Sequence, residues 1–128
     1  MSKGWKCIHP FRSVYHAVMG IVQTFKTERN FRIQTLAAFI VIGLGIYYKI
    51  DRVEWFAVGV SIALMLGAEL MNTAIEYVCD SLRPEYDSKI KVAKDAAAGA
   101  CLVMALFALT VGLIVFLPLV LGGLGWGL

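Results

Sequence analysis

Three long apolar stretches restrict this chain to a membrane-spanning helical fold. They cover residues 33–50, 55–71 and 96–121, and the second continues as an amphipathic segment to residue 82. As an α-helix, each is long enough to cross a hydrocarbon core of about 30 Å. Apolar residues make up 59% of the 128 positions, and burial in a water-soluble core does not explain runs of this length. We expect one all-α integral-membrane domain over residues 1–128, with transmembrane helices at 33–50, 55–82 and 90–121.

The segment before the first apolar run has the pattern of an amphipathic helix. Pro10 can open a helix at its first turn, and apolar residues then recur at helical spacing from Phe11 to Phe25. Basic and polar residues occupy the other side, which is typical of a helix lying in the membrane interface. We expect a surface helix over residues 10–30. His16 on this helix is explained by an amphipathic side chain at headgroup level.

The distribution of charge predicts the orientation in the membrane. The net charge is only +3, but basic residues are concentrated in residues 1–32 and 81–95, whereas the turn between the first two apolar runs carries only Lys49 and Arg52. Under the positive-inside rule, the amino terminus and the second loop are cytoplasmic. Nucleic acid is not an expected partner, because no soluble basic domain is present. The three cysteines have no paired spacing, so we expect neither disulfides nor a zinc site.

The second apolar run ends in an acidic face. We call Glu69, Asn72, Glu76 and Asp80 the acidic stripe, because their helical spacing places the three carboxylates within roughly 40° of one another. A charged side chain near the bilayer interior costs at least ~2.5–3.5 kcal/mol, so several carboxylates require neutralisation by a metal, by bases or by protonation. A polar seam between helices is the structural alternative, but an amide alone would serve that purpose. The stripe is therefore the predicted centre of a functional site.

Three other charged residues are candidates to join the acidic stripe. Lys94 and Asp95 stand among alanines at the start of the third apolar run, so another helix can pack against them and bring the pair opposite the stripe. Alternatively, Lys94 extends to the cytoplasmic surface. Glu28 is the only acid in the first fifty residues. It is either a solvated ion pair or a carboxylate at the depth of the stripe that completes a metal site.

Carboxylates, an amide and a lysine at one membrane surface suit phosphoryl transfer to a lipid alcohol. Mg²⁺ binds a few carboxylates together with substrate phosphates, a lysine can take phosphate charge, and a carboxylate can deprotonate a hydroxyl. The chain has no Walker A loop and no protein-kinase signature, so side chains and divalent ions would hold the nucleotide. Two other classes remain open: an oligomeric cation or proton pathway lined by Glu69, Glu76 and Asp80, and a structural membrane adaptor.

These residues resemble the bacterial diacylglycerol kinase family, small three-span membrane kinases unrelated to soluble kinases. The resemblance rests on Thr-Glu-Arg-Asn-Phe at 27–31, on Glu-Leu-Met-Asn-Thr-Ala-Ile-Glu-Tyr-Val-Cys-Asp at 69–80 and on Ala-Lys-Asp-Ala-Ala-Ala-Gly-Ala at 93–100. It covers residues 10–118. The first and third pieces are most similar to the branch that phosphorylates undecaprenol.

The resemblance implies a kinase of the bacterial cell membrane that uses Mg-ATP to phosphorylate undecaprenol, with diacylglycerol as the alternative substrate. It also implies a homotrimer whose active sites are shared between neighbouring subunits. Glu69 would be the general base, supported by Asn72, and Glu28 and Glu76 would hold Mg²⁺ with the nucleotide phosphates. Asp80 also matches the family, and we assign it to helix-end electrostatics. The implied nucleotide contacts are His16, Glu76, Glu28, Glu85, Tyr86, Asp87, Lys94 and Asp95.

Overall fold

The computed structural model describes residues 10–82 and 87–125, and these residues form four helices. In chain order they are α1 (Pro10–Thr27), α2 (Arg29–Tyr48), α3 (Arg52–Leu82) and α4 (Ser88–Gly123). The predicted all-helical class is confirmed. Within the described ranges, α2, α3 and α4 are the three helices long and apolar enough to cross a membrane. Each predicted span falls on one of them.

The boundary between α1 and α2 lies at Glu28. Its backbone is extended, with φ −98° and ψ 115°, so α1 ends at Thr27 rather than at the predicted residue 30. Arg32, in the first turns of α2, donates from Nη1 to the backbone oxygens of Phe25 and Lys26 at 3.1 and 2.9 Å. These carbonyls belong to the last turn of α1, where a helix offers them no partner of its own. Arg32, which belongs to α2, therefore caps the carboxyl end of α1.

A tight turn joins α2 to α3. Lys49 adopts the left-handed helical conformation with φ 52° and ψ 50°, and the N–H of Ile50 donates to the Gly45 carbonyl at 3.2 Å. This arrangement satisfies carbonyls at the end of a helix. A Cβ atom on Gly45 would lie 2.7 Å from Cη2 of Trp55. Glycine is thus required where the tryptophan of α3 approaches the backbone of α2.

Side-chain caps define where α3 and α4 begin. At the start of α3, the backbone N–H of Asp51 donates to the Glu54 carboxylate, and the backbone N–H of Glu54 donates to the Asp51 carboxylate, both at 2.9 Å. This reciprocal pair is a capping box. At α4, Asp87 Oδ1 accepts from the N–H of Lys89 at 2.8 Å and of Ile90 at 3.4 Å. These caps extend both helices beyond the apolar runs that predicted them, because polar residues can occupy a capped first turn.

The most extensive helix contact is between the antiparallel pair α3 and α4. A buried apolar cluster of Ile50, Val58, Val115 and Phe116 closes the end of this pair near the α2–α3 turn, and the acidic stripe lies at the other end. Many large apolar side chains along the helices are exposed. Lipid tails or a second subunit would cover such a surface in a membrane.

Candidate functional site

Glu69 is the first residue of the acidic stripe and the most buried one, with only 3% of the residue exposed. From α2, Gln34 donates its Nε2–H to Glu69 Oε2 at 3.3 Å. From α4, the thiol of Cys101 interacts with the same carboxylate. Helices α2, α3 and α4 therefore meet at the Glu69 carboxylate. Both partners are uncharged, so they hold the carboxylate in place without forming an ion pair with it.

Gln34 and Cys101 were not predicted as parts of the site. The signal for Gln34 was available, because an amide inside an apolar run is costly unless it has a partner. Its partner lies on another helix, however, and the pairing depends on how α2 and α3 are aligned. Cys101 gave no such signal, since a free cysteine behaves as a small apolar residue.

Asn72 lies about one turn further along α3 than Glu69, and Glu76 about two turns further. Asn72 Nδ2 donates to Glu76 Oε1 at 3.5 Å, and both side chains are half-buried. Asn72 Oδ1 is buried and has no hydrogen-bond donor among the described residues. A buried carbonyl left in this state costs roughly 1–3 kcal/mol. The middle of the stripe thus holds one buried oxygen acceptor, Asn72 Oδ1, without a donor in the part of the chain that the structure describes.

Asp80 has a contact that the sequence pattern did not assign to it. Lys94 Nζ lies 2.9 Å from Asp80 Oδ1, so the lysine of α4 reaches the acidic stripe as expected. Both side chains remain accessible, at 37% for Lys94 and 68% for Asp80. An exposed pair of this kind adds little to stability. Asp80 therefore acts on the position of Lys94 more than on the fold.

The structure separates Asp95 from Lys94, although the two were predicted to face the stripe together. Asp95 Oδ2 lies 2.5 Å from Lys91 Nζ on its own helix, and both groups are exposed. The reason is geometric: adjacent residues on a helix project about 100° apart, so both cannot contact α3 in the same way. Asp95 instead presents its carboxylate on the outer surface of α4.

The remaining predicted residues lie at helix ends and on α1. Glu28 is half-buried at the break between α1 and α2, and His16 is exposed on α1. Asp87 is engaged in capping α4. In the described structure these positions lie in three separate places: on α1, at the break between α1 and α2, and at the start of α4. Glu85 and Tyr86 lie outside the described residues.

The donor set fits Mg²⁺ without forming a closed metal cage. No group of three or more His, Cys, Asp or Glu side chains in residues 10–82 and 87–125 could hold a metal ion. Mg²⁺ is usually bound by one or two carboxylates, with substrate phosphates and water completing the shell. Glu76 is half-buried, and its Oε1 accepts a hydrogen bond from Asn72 Nδ2 at 3.5 Å. The carboxylate of Glu76 and the amide oxygen of Asn72 are ligands of the kind that Mg²⁺ takes.

An apolar groove of about 450 Å³ runs between α1 and α3. Gly20 of α1 and Leu70, Thr73 and Tyr77 of α3 contribute to its walls. Thr73 is buried and donates its hydroxyl to the backbone oxygen of Glu69 at 2.9 Å. The groove therefore adjoins the turn of α3 that carries the buried carboxylate. An apolar chain ending in a polar group suits such a place.

Together these features define a small helical membrane protein with a buried carboxylate, an adjoining apolar groove, and a lysine paired with the last carboxylate of the acidic stripe. The family model for prokaryotic diacylglycerol kinase matches residues 15–116, and the chain belongs to that family. An undecaprenol kinase from Bacillus subtilis (strain 168) is 41% identical over 108 residues, which are 84% of this chain and 88% of that protein.

Two diacylglycerol kinases are also similar. The protein from Synechocystis sp. is 36% identical over 107 residues, covering 83% of this chain and 61% of the relative. The protein from Haemophilus influenzae is 27% identical over 119 residues, covering 93% and 89%. The comparisons thus favour a kinase over the cation pathway and the adaptor that the residues alone left open. With its three apolar helices, the chain is a multi-pass membrane protein and a lipid kinase.

Proposed function

We propose that this protein transfers the γ-phosphate of Mg-ATP to the hydroxyl of undecaprenol, giving undecaprenyl phosphate. The observation that carries the proposal is Glu69, a carboxylate buried among uncharged partners beside an apolar groove. The similarity to an undecaprenol kinase over most of both chains supports the substrate. Diacylglycerol is the second candidate, because relatives bear that name and both lipids present one hydroxyl on apolar chains.

Glu69 is the general base in this proposal. It accepts the hydroxyl proton as the lipid oxygen bonds to the γ-phosphorus, while the bond to the bridging oxygen breaks and ADP leaves. A carboxylate without a cationic partner is suited to this role, since an ion pair would favour its unprotonated form. Asn72 supports it from the next turn of α3. The apolar walls of the groove keep the lipid chain in place.

The other half of the acidic stripe serves the nucleotide. Glu76 and Glu28 would hold Mg²⁺, which when bound neutralises charge on the transferred phosphate. Lys94, kept near the stripe by Asp80, reaches phosphate oxygens. The remaining nucleotide contacts are assigned to His16, Glu85, Tyr86, Asp87 and Asp95.

The protein is proposed to act as a homotrimer with shared active sites in the bacterial cell membrane. The uncovered apolar faces of the spans and the unmatched oxygen of Asn72 support a site completed by a neighbouring subunit. We place α1 on the membrane surface, because its apolar side chains from Phe11 to Phe25 are exposed. The basic amino-terminal segment supports a cytoplasmic amino terminus.

The test is phosphate transfer from labelled Mg-ATP by the purified protein in mixed micelles, with undecaprenol and diacylglycerol offered in parallel. We expect faster labelling of undecaprenol, and transfer to either lipid slowed by about 10²–10⁴-fold in Glu69→Gln. Faster labelling of diacylglycerol would select the second candidate. A well-folded oligomer that labels neither lipid would refute both. Omitting Mg²⁺ should abolish transfer if a divalent ion completes the nucleotide site.

A further inference from the structure

Gln34 holds an unusual position for a neutral side chain near the start of a membrane span. Its Nε2–H donates to Glu69 Oε2 at 3.3 Å, across the contact between α2 and α3. Its other polar atom, Oε1, is buried with no donor in the described part of the chain. The amide nitrogen of Gln34 therefore has a hydrogen-bond partner, whereas its carbonyl oxygen has none among the described residues.

Packing does not account for this residue. A buried carbonyl without a donor is unfavourable, whereas an apolar side chain of similar length would fill the same space without that cost. The neighbouring Thr35 shows the contrast, since its hydroxyl donates to the Phe31 carbonyl of its own helix at 2.7 Å. The hydrogen-bonding requirement of the Thr35 hydroxyl is therefore met within α2. Gln34 instead directs its donor to the one buried carboxylate of α3.

The chemistry of the donor matches what a general base needs. Lysine or arginine at this position would form an ion pair with Glu69 and strongly favour its unprotonated form. An amide orients the carboxylate with a single weaker hydrogen bond and adds no charge. The amide of Gln34 then fixes the direction of the base without an ion pair. Small errors in the direction of a catalytic group are costly in rate.

We infer that Gln34 is a positioning residue, which orients Glu69 towards the lipid hydroxyl through its amide N–H. The inference rests on the proposed function, because it takes Glu69 as the base. Gln34 touches neither nucleotide nor phosphate in this scheme. Its effect is therefore confined to the chemical step.

The experiment compares Gln34→Met with the matched control Thr35→Val in the lipid kinase assay. Methionine keeps the length of the side chain and removes the amide. We expect kcat to fall about tenfold or more in Gln34→Met, with KM for Mg-ATP unchanged within about twofold. Thr35→Val should retain the wild-type kcat. The oligomer and its thermal transition should be the same in all three proteins.

A double variant separates positioning from a general structural role. If Gln34 acts through Glu69, then adding Gln34→Met to Glu69→Gln should cause no further loss of the residual rate. An additional loss, or a rise in KM for Mg-ATP, would show a structural role and overturn the inference. Should Gln34→Met fail to assemble, Gln34→Asn is judged by the same criteria, because its shorter side chain withdraws the donor while retaining an amide.

The failures of the two proposals are distinguishable. Wild-type kcat in Gln34→Met, with an inactive Glu69→Gln, would overturn the positioning role and leave the lipid kinase intact. Full activity in Glu69→Gln would show that Glu69 is not the general base. In that case the inference about Gln34 falls with it.

Discussion

The two ends of the α3–α4 pair are built in opposite ways. At the end near the α2–α3 turn, Val58 and Phe116 belong to a closed apolar cluster, and Gly45 admits the ring of Trp55. At the other end, Glu69 is buried with polar partners and the oxygen of Asn72 is left unmatched. The first end is closed by apolar packing, whereas the second leaves a buried oxygen without a donor among the described residues. Stability and activity should therefore respond to different substitutions.

The sharpest test of this division is Glu69→Gln. We expect kcat to fall by about 10²–10⁴-fold, as for removal of a general base. The thermal transition of the detergent-solubilised protein should be unchanged or slightly higher, because a buried carboxylate is replaced by a neutral group of the same shape. Steady-state kinetics and differential scanning calorimetry on the same preparation measure the two effects. A marked loss of stability would mean that the acidic end also carries the fold.

The reverse experiment is Gly45→Ala at the apolar end. A Cβ atom there would lie 2.7 Å from Cη2 of Trp55, and overpacking of this kind costs roughly 1–3 kcal/mol of stability. The kcat of the folded protein should stay at the wild-type value. Gly43→Ala is the matched control, since a Cβ atom at Gly43 has no neighbour within 4 Å. Equal thermal transitions for the two variants would contradict the close approach of α2 and α3.

The substitution Glu76→Gln tests whether the acidic end holds separate residues for catalysis and for Mg²⁺ binding. Because Glu76 is proposed to hold Mg²⁺ with the nucleotide, we expect KM for Mg-ATP to rise about tenfold, with a smaller change in kcat. Titration with Mg²⁺ at fixed ATP should show a parallel rise in the ion concentration needed for half-maximal rate. Gln keeps an oxygen for the hydrogen bond from Asn72, so assembly should be retained. A variant with unaltered Mg²⁺ dependence would remove Glu76 from the metal site.

The apolar runs were sufficient to predict the three spans, since length and composition alone determine which segments can cross a membrane. The ends of the helices were harder to predict from the sequence. Glu28 and Lys49 end helices through an extended and a left-handed backbone, respectively, and neither residue type requires that conformation. The stripe on α3 followed from helical spacing, but its pairing with Gln34 and Cys101 did not. Contacts between helices depend on their relative depth and rotation, which one sequence does not specify.

Asp80→Asn should have the smallest effect, because it changes only an exposed contact at the mouth of the acidic end. The substitution removes the charge that holds Lys94 Nζ at 2.9 Å, and we expect KM for Mg-ATP to rise about twofold to threefold. Salt provides the check: raising the ionic strength screens an exposed pair, so the KM values of variant and wild type should converge. Ser81→Ala is the control, since that exposed hydroxyl donates to the Tyr77 carbonyl on the same helix. A difference in KM that persists at high salt would mean that Asp80 acts on the nucleotide directly rather than through Lys94.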